Sequence, residues 1–321
     1  LIRDQALDKR SDTQELERLY QVSQGIPFFL SEYTKLLVNG DKFVPLTPAI
    51  KAKLGLKLAN LDSLTNELLN LLSCCPQAVP ITILAHLMAI SLEDITTLID
   101  NLCDLYIVME GSLGDDITID FRKPIIRLYC YDRLSKSRKR LLHGQIAKRL
   151  EEFSTSLPLS PRLLQDIAYH FDKSHQDIKA LEYELNYLDS TLGQQHELFP
   201  IDAHEAARDE ASEDTQNSIE KQFETIRNRI DLLGKTYDNH REFQELLVRF
   251  SYLEGRYDIR IGCYQDGVKH IQKVISLATD LNHPSFLLEG YRQLIHYCIQ
   301  VENKTEMKYY ADLSLEAAVS N

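Results

Sequence analysis

Tyr106-Ile107-Val108-Met109-Glu110-Gly111-Ser112-Leu113-Gly114-Asp115-Asp116-Ile117-Thr118-Ile119-Asp120-Phe121 is the stretch that decides how this chain reads. Tyr106–Met109 and Ile117–Phe121 hold the β-branched and aromatic residues, and Gly111–Asp116 between them holds the glycines. That pattern predicts a β-hairpin with a glycine-rich loop. No other segment gives a convincing strand signal. Just upstream, apolar spacing predicts helices over about 48–59, 62–75, 80–88 and 91–105. Thr47, Asp62 and Ser91 stand where N-caps belong, with Pro48 at a first helical position and Asp94 three residues after Ser91. Helices followed by a hairpin are the sequence order of a winged helix.

Further out, helical periodicity continues in both directions. Glu15–Val22 reads helical, and Pro27 can open a helix to Leu37 that buries Phe28, Phe29, Leu30, Tyr33, Leu36 and Leu37. Asn39-Gly40-Asp41 is a turn that stops it. After the hairpin, helices return from Pro124 to about Phe153, and Pro158 and Pro161 mark a boundary. From Arg162 onward the pattern is helical throughout, with one pair broken near Ser174-His175. Residues 194–217 are acidic and poor in large apolar side chains, which predicts a solvated loop or exposed helix. Two segments, beginning at Tyr264 and Lys304, start similar helices 40 residues apart, with Asn282-His283-Pro284 as the turn between units. A period of that size, two helices per unit, is the signature of a tetratricopeptide-like α-solenoid.

The 321-residue length allows two or three domains, each with its own core. The expected architecture is all-α with one small β-hairpin. A winged-helix domain over 46–155 is followed by a TPR-like helical repeat domain over 160–321. The charge of −12, from 36 basic and 48 acidic residues, argues against a nucleic-acid coat protein. The longest apolar stretch, Ala78 to Ile90, is interrupted by Pro80 and His86 and too short to span a bilayer, so no membrane partner is expected. LIRDQALDKR at the start reads as no signal peptide and as a piece of a longer chain. Cys74, Cys75, Cys103, Cys130, Cys263 and Cys298 form no CxxC pair and read as reduced thiols of a cytoplasmic protein. No metal site is expected.

Catalytic motifs are missing. Gly234-Lys235-Thr236 resembles the end of a P-loop, but Arg229 stands in place of its first glycine and the approach is helical. His204-Glu205 lacks the second histidine of a zinc protease. One charge run stands out: Arg133, Lys136, Arg138, Lys139 and Arg140 lie within a basic stretch that only Asp132 opposes. It could contact phosphates, or it is an exposed basic helix face. Direct DNA contact is not expected, because the helix before the hairpin carries Glu93, Asp94, Asp100 and Asp104, which the major groove would repel. In the repeats, Tyr252, Tyr257, Tyr291, His296 and Tyr297 are candidates for an effector-binding concave face, with packing between helices as the alternative.

Ser23 to Glu152 resembles the C-terminal part of the nucleotide-switch module of signal-transduction ATPases, the STAND class. Gln24-Gly25-Ile26-Pro27-Phe28-Phe29-Leu30 looks like the GxP motif that opens that module's helical lid, so the resemblance makes 1–45 a partial lid of an NTPase module. Phe121-Arg122-Lys123-Pro124-Ile125-Ile126-Arg127 and Leu142-His143-Gly144-Gln145-Ile146-Ala147-Lys148-Arg149 resemble the segment after the hairpin in bacterial regulators of the MalT-like and SARP-like kinds. The resemblance implies that Gly25 and Pro27 pack near a nucleotide. It also implies that Lys123, with Arg127 nearby, takes the place of a phosphate-sensing histidine, unless Lys123 is a solvated strand-end residue. It implies no cofactor in this fragment and no ATP hydrolysis by it, since Walker motifs are absent, with ATP or ADP held by an upstream NTPase domain of the parent. The expected partners are that domain and a protein, peptide or small-molecule effector on the repeats. The expected role is the regulatory sensor region of a transcriptional regulator. A plain TPR-type adaptor and a winged-helix DNA-binding protein are the alternatives.

Overall fold

The computed structural model describes residues 20, 23, 25–39, 42–114, 116–154, 160–193 and 210–319. The helix expected over Glu15–Val22, the turn at Gly40-Asp41, Pro158, His204-Glu205 and most of the acidic stretch fall outside these residues. The chain divides into two units, Leu1–Ser156 and Leu157–Asn321. Together they are mostly helix with one small antiparallel sheet.

In the first unit, α1 (Pro27–Asn39) opens at Pro27 as read from the sequence, and buries Phe29 and Tyr33. The Tyr33 hydroxyl donates to Pro45 O at 2.7 Å, which ties the link after α1 back onto it. Then come α2 (Pro48–Leu58), α3 (Ser63–Cys74), α4 (Ile81–Met88) and α5 (Leu92–Asp104). Their caps are the expected ones. Thr47 accepts from Ile50 N, and Asp62 accepts from Thr65 N. Ser91 Oγ accepts from Asp94 N at 3.1 Å and donates back to the Asp94 carboxylate at 2.6 Å, so the reciprocal bond joins two side chains.

The hairpin is tighter than its sequence suggests. Strands β2 (Val108–Leu113) and β3 (Asp116–Phe121) pair through Leu113↔Asp116, so Gly111 and Ser112 belong to the ladder and the loop has two residues. The reason lies in Gly111. It sits opposite Thr118, where a Cβ would come 3.1 Å from Thr118 Oγ1, so this glycine serves close pairing. Gly114, with φ +61°, is the turn glycine. A third strand, β1 (Val79–Pro80), was not expected; it pairs with β3 through Val79↔Ile119, giving the order β1-β3-β2. Two residues are too short for a periodic signal, and Pro80 reads as a helix start. Ile95, Ile99 and Leu102, spaced four and three apart on α5, are fully buried beside β2. The helices expected from Pro124 onward are two, α6 (Pro124–Arg133) and α7 (Lys136–Ser154), which pack on α3.

The second unit comprises α8 (Pro161–Lys173), α9 (Asp177–Gly193), α10 (Glu210–Tyr237), α11 (Arg241–Arg260), α12 (Tyr264–Asp280), α13 (Pro284–Gln300) and α14 (Lys304–Val319). The acidic residues from 210 to 217 are the start of α10. From α11 to α14 each helix packs on the next, and α11 also touches α13. The 40-residue repeat seen in the sequence has a backbone cause. Gly262, Asn282 and Glu302, spaced by 20, all take positive φ. In each turn the next residue's N–H reaches back to a helix carbonyl, as in Cys263 to Asp258, His283 to Ala278 and Asn303 to Cys298, each at 2.8 Å. This is the Schellman ending, repeated helix after helix. Gly255 and Gly267 let α11 and α12 approach, since a Cβ on Gly267 would lie 2.9 Å from Ile259 N. Among the described residues no single helix is long and apolar enough to cross a membrane.

Candidate functional site

The second unit holds an open cleft of about 550 Å³ between α8, α9 and α10, within the range of small-molecule sites. Helix periodicity builds it. On α10, Ser218, Gln222, Thr225 and Arg229 recur at intervals of three and four and share one face. Glu184 and Tyr187, three apart on α9, and Tyr169 and Asp172, three apart on α8, face them. Buried Ala168 and Ile226 make the apolar floor.

Arg229 organises the charge. Its Nη2 lies 2.6 Å from Asp172 Oδ1, and its Nε lies 3.3 Å from Glu184 Oε2. One guanidinium therefore serves two carboxylates. The Nε contact lacks hydrogen-bond geometry, so Glu184 Oε2, shut off from solvent, accepts no hydrogen bond; neither does the equally enclosed Gln222 Oε1. Buried acceptors without donors are rare, because each keeps its desolvation penalty. Burial pushes the Glu184 carboxyl above its ordinary value, Arg229 opposes this, and Asp172 adds to it. Among the described residues lining the cleft there is no histidine or cysteine.

The residues singled out from the sequence lie elsewhere. Gly25 and Pro27 are exposed, Gly25 with φ +73°, just before α1. Lys123 is half-buried at the N-cap of α6 and lends it no side-chain bond. Burial first, and then the charge of Lys123, lower the Lys57 ammonium pKa. Lys57 donates to Tyr106 O at 3.2 Å, and Arg122 lies over the Tyr106 ring at 5.0 Å. Arg127 is used within the fold, donating to Cys75 O at 2.9 Å beyond the end of α3. No hydrogen bond or ion pair among the described residues joins Gly25 or Pro27 to Lys123 or Arg127. Arg133, Lys136, Arg138 and Arg140 are exposed around the α6–α7 junction. Lys139 is half-buried, with its ammonium 4.2 Å from the Tyr131 ring centre.

Tyr252 and Tyr257 are built into the helix packing. Tyr252 donates to Glu289 at 3.0 Å and accepts from Arg292 and Gln293. Tyr257 is 5% exposed and rests against Phe223; burial pushes its phenol up to about 12. A ligand on an outer face would not reach these two rings. Tyr291 and His296 are half-buried, and Tyr297 packs on Tyr264 at 5.5 Å. Gly234-Lys235-Thr236 lies inside α10, with no strand before it. The cleft went unread because its three walls come from separate helices. Arg229, noticed as a misfit in a P-loop, was its one trace.

No protein-family model and no curated protein matches the chain. Among solved structures, one that the chain is similar to is a Signal Transduction ATPase with Numerous Domains (STAND) protein with a tetratricopeptide repeat sensor from Pyrococcus horikoshii. The TM-score is 0.34 at 10% identity, over 100% of this chain and 53% of that one. The chain thus spans about half the length of that structure.

Proposed function

We propose that this chain is the regulatory and sensor region of a STAND-type signal-transduction ATPase acting in transcription. The observation that supports this is the order of parts. A helix opened by Gly25-Ile26-Pro27 leads into helices and a three-stranded sheet, read here as a winged helix. A stack of helices with a 20-residue turn spacing follows, read as a TPR-like solenoid, with a lined cleft at its start. In this reading the first unit meets an upstream NTPase domain that holds ATP or ADP, and this chain itself catalyses nothing. Lys123 and Lys57 present positive charge toward that domain. An effector on the second unit shifts a two-state equilibrium by binding one state better than the other.

The test is titration of a fluorescent ADP onto this chain and onto the same chain preceded by its nucleotide domain. Binding to the longer protein alone supports the proposal, and binding to neither overturns it. The exposed basic residues at the α6–α7 junction favour a second reading, a duplex contact. Salt-sensitive DNA binding that is lost in the triple variant Arg138→Glu, Lys139→Glu, Arg140→Glu would support it. No duplex binding is the expected result.

A further inference from the structure

The cleft between α8, α9 and α10 has an uneven supply of partners. Its two enclosed atoms without a hydrogen bond, Glu184 Oε2 and Gln222 Oε1, are both acceptors. Its inner wall sets Asp172 and Glu184 against the guanidinium of Arg229, and Lys173 pairs with the other oxygen of Asp172 at 3.4 Å, so Asp172 is fully met and Glu184 is not. Such a wall lacks donors for these two acceptors. Tyr169 and Tyr187 supply aromatic surface. The Tyr169 ring already takes a cation in this fold, with Lys173 Nζ 5.5 Å from its centre. Lys221 is exposed on α10, where it disfavours a cation weakly through solvent.

We propose that this cleft is a receptor site for a small cationic ligand bearing an ammonium or guanidinium group, whose N–H donors are met by Glu184 Oε2 and Gln222 Oε1. An anion would face Asp172 and Glu184. A neutral sugar would supply donors, but without charge assistance at the Glu184 carboxylate. A cationic donor meets these acceptors, and charge-assisted hydrogen bonds to a carboxylate are the stronger kind. The proposal names the effector class for the sensor reading above, and depends on that reading only for what binding accomplishes.

The test is calorimetric titration of the 321-residue chain with agmatine and with butylamine, beside glucose and inorganic phosphate. Saturable one-to-one binding of the amines is expected. Glu184→Gln, nearly isosteric, should weaken it at least tenfold, and Gln222→Ala several-fold. Lys221→Ala should leave it unchanged or tighter. Circular dichroism of each variant checks that the helices persist. No saturable amine binding, an affinity unchanged in Glu184→Gln, or preferential binding of glucose or phosphate would each overturn the proposal. Amine binding in the cleft without any effect on nucleotide exchange in the longer protein would uphold the receptor site and remove the switch reading alone.

Discussion

Two arginines, one in each unit, are brought against oxygen atoms and used differently. Arg127 on α6 donates to one backbone carbonyl, Cys75 O, where α3 ends, and so helps lock two helices together. Arg229 on α10 is divided between Asp172 and Glu184, and an enclosed carboxylate oxygen is left with no hydrogen bond. The first arrangement is closed, as a structural contact should be. The second keeps an unmet acceptor, and keeps it in a cleft open to solvent. A polar group matched within the chain holds the fold. One left unmatched in an open cleft points to a ligand.

The contrast breaks if the second unit is loosely packed throughout, so that its unmet atoms are only poor fit. Gly267 tests this, because a side chain there would push on Ile259 and on the backbone of α11. Gly267→Val is expected to cost about 3 kcal/mol through overpacking, read by denaturant unfolding. A cost under about 1 kcal/mol would mean α11 and α12 are free to separate. The next largest effect belongs to the closed arginine. Arg127→Met should cost about 2 kcal/mol, the range for losing a charged donor to a partly buried carbonyl. An unchanged midpoint would show that Arg127 holds nothing.

The repeated helix endings sharpen the comparison on a smaller scale. Glu302 takes φ +56° where glycine is at ease, so Glu302→Gly should add about 1 kcal/mol. Gly262→Ala should remove about the same, since φ there is +84°. Opposite signs at two places in one repeat would tie the 20-residue spacing to backbone geometry. Equal signs would cut that link. Smallest is a pH effect. The hydrogen bond to Asp258 raises the His270 pKa, burial opposes it, and the charges of Glu254 and Asp258 add to it. A raised histidine value stabilises the fold fully below its unfolded value of ~6.5 and loses that stability as pH rises through the folded value. His270→Gln should flatten the stability profile above that pH. An unaltered profile would discount the contact.

Much of the first unit was legible because its signals are local. Thr47, Asp62 and Ser91 each cap the helix that follows by accepting from the N–H three residues on, and Pro27, Pro48 and Pro124 stand at first helical positions. The hairpin was legible in position but not in length, since Gly111 serves cross-strand pairing, which a linear reading takes for a loop. β1 was missed because its partner lies 40 residues away, at Ile119. In the second unit the turn spacing was legible and the site was not. Tyrosines attract attention in a sequence, yet Tyr252 and Tyr257 fill the stack. Glu184 and Gln222 sit among many exposed polar residues, and only folding three helices together encloses one acceptor oxygen of each.

The central claim is that Gln222 keeps an unmet acceptor for a ligand at a cost to the fold. The most direct test is the stability of Gln222→Leu without ligand, measured by hydrogen exchange on the α10 amides. Removing an unsatisfied buried acceptor is expected to stabilise α10 by about 1 kcal/mol. A loss of about 1 kcal/mol or more would mean that Gln222 is already satisfied within the fold, and would contradict the account.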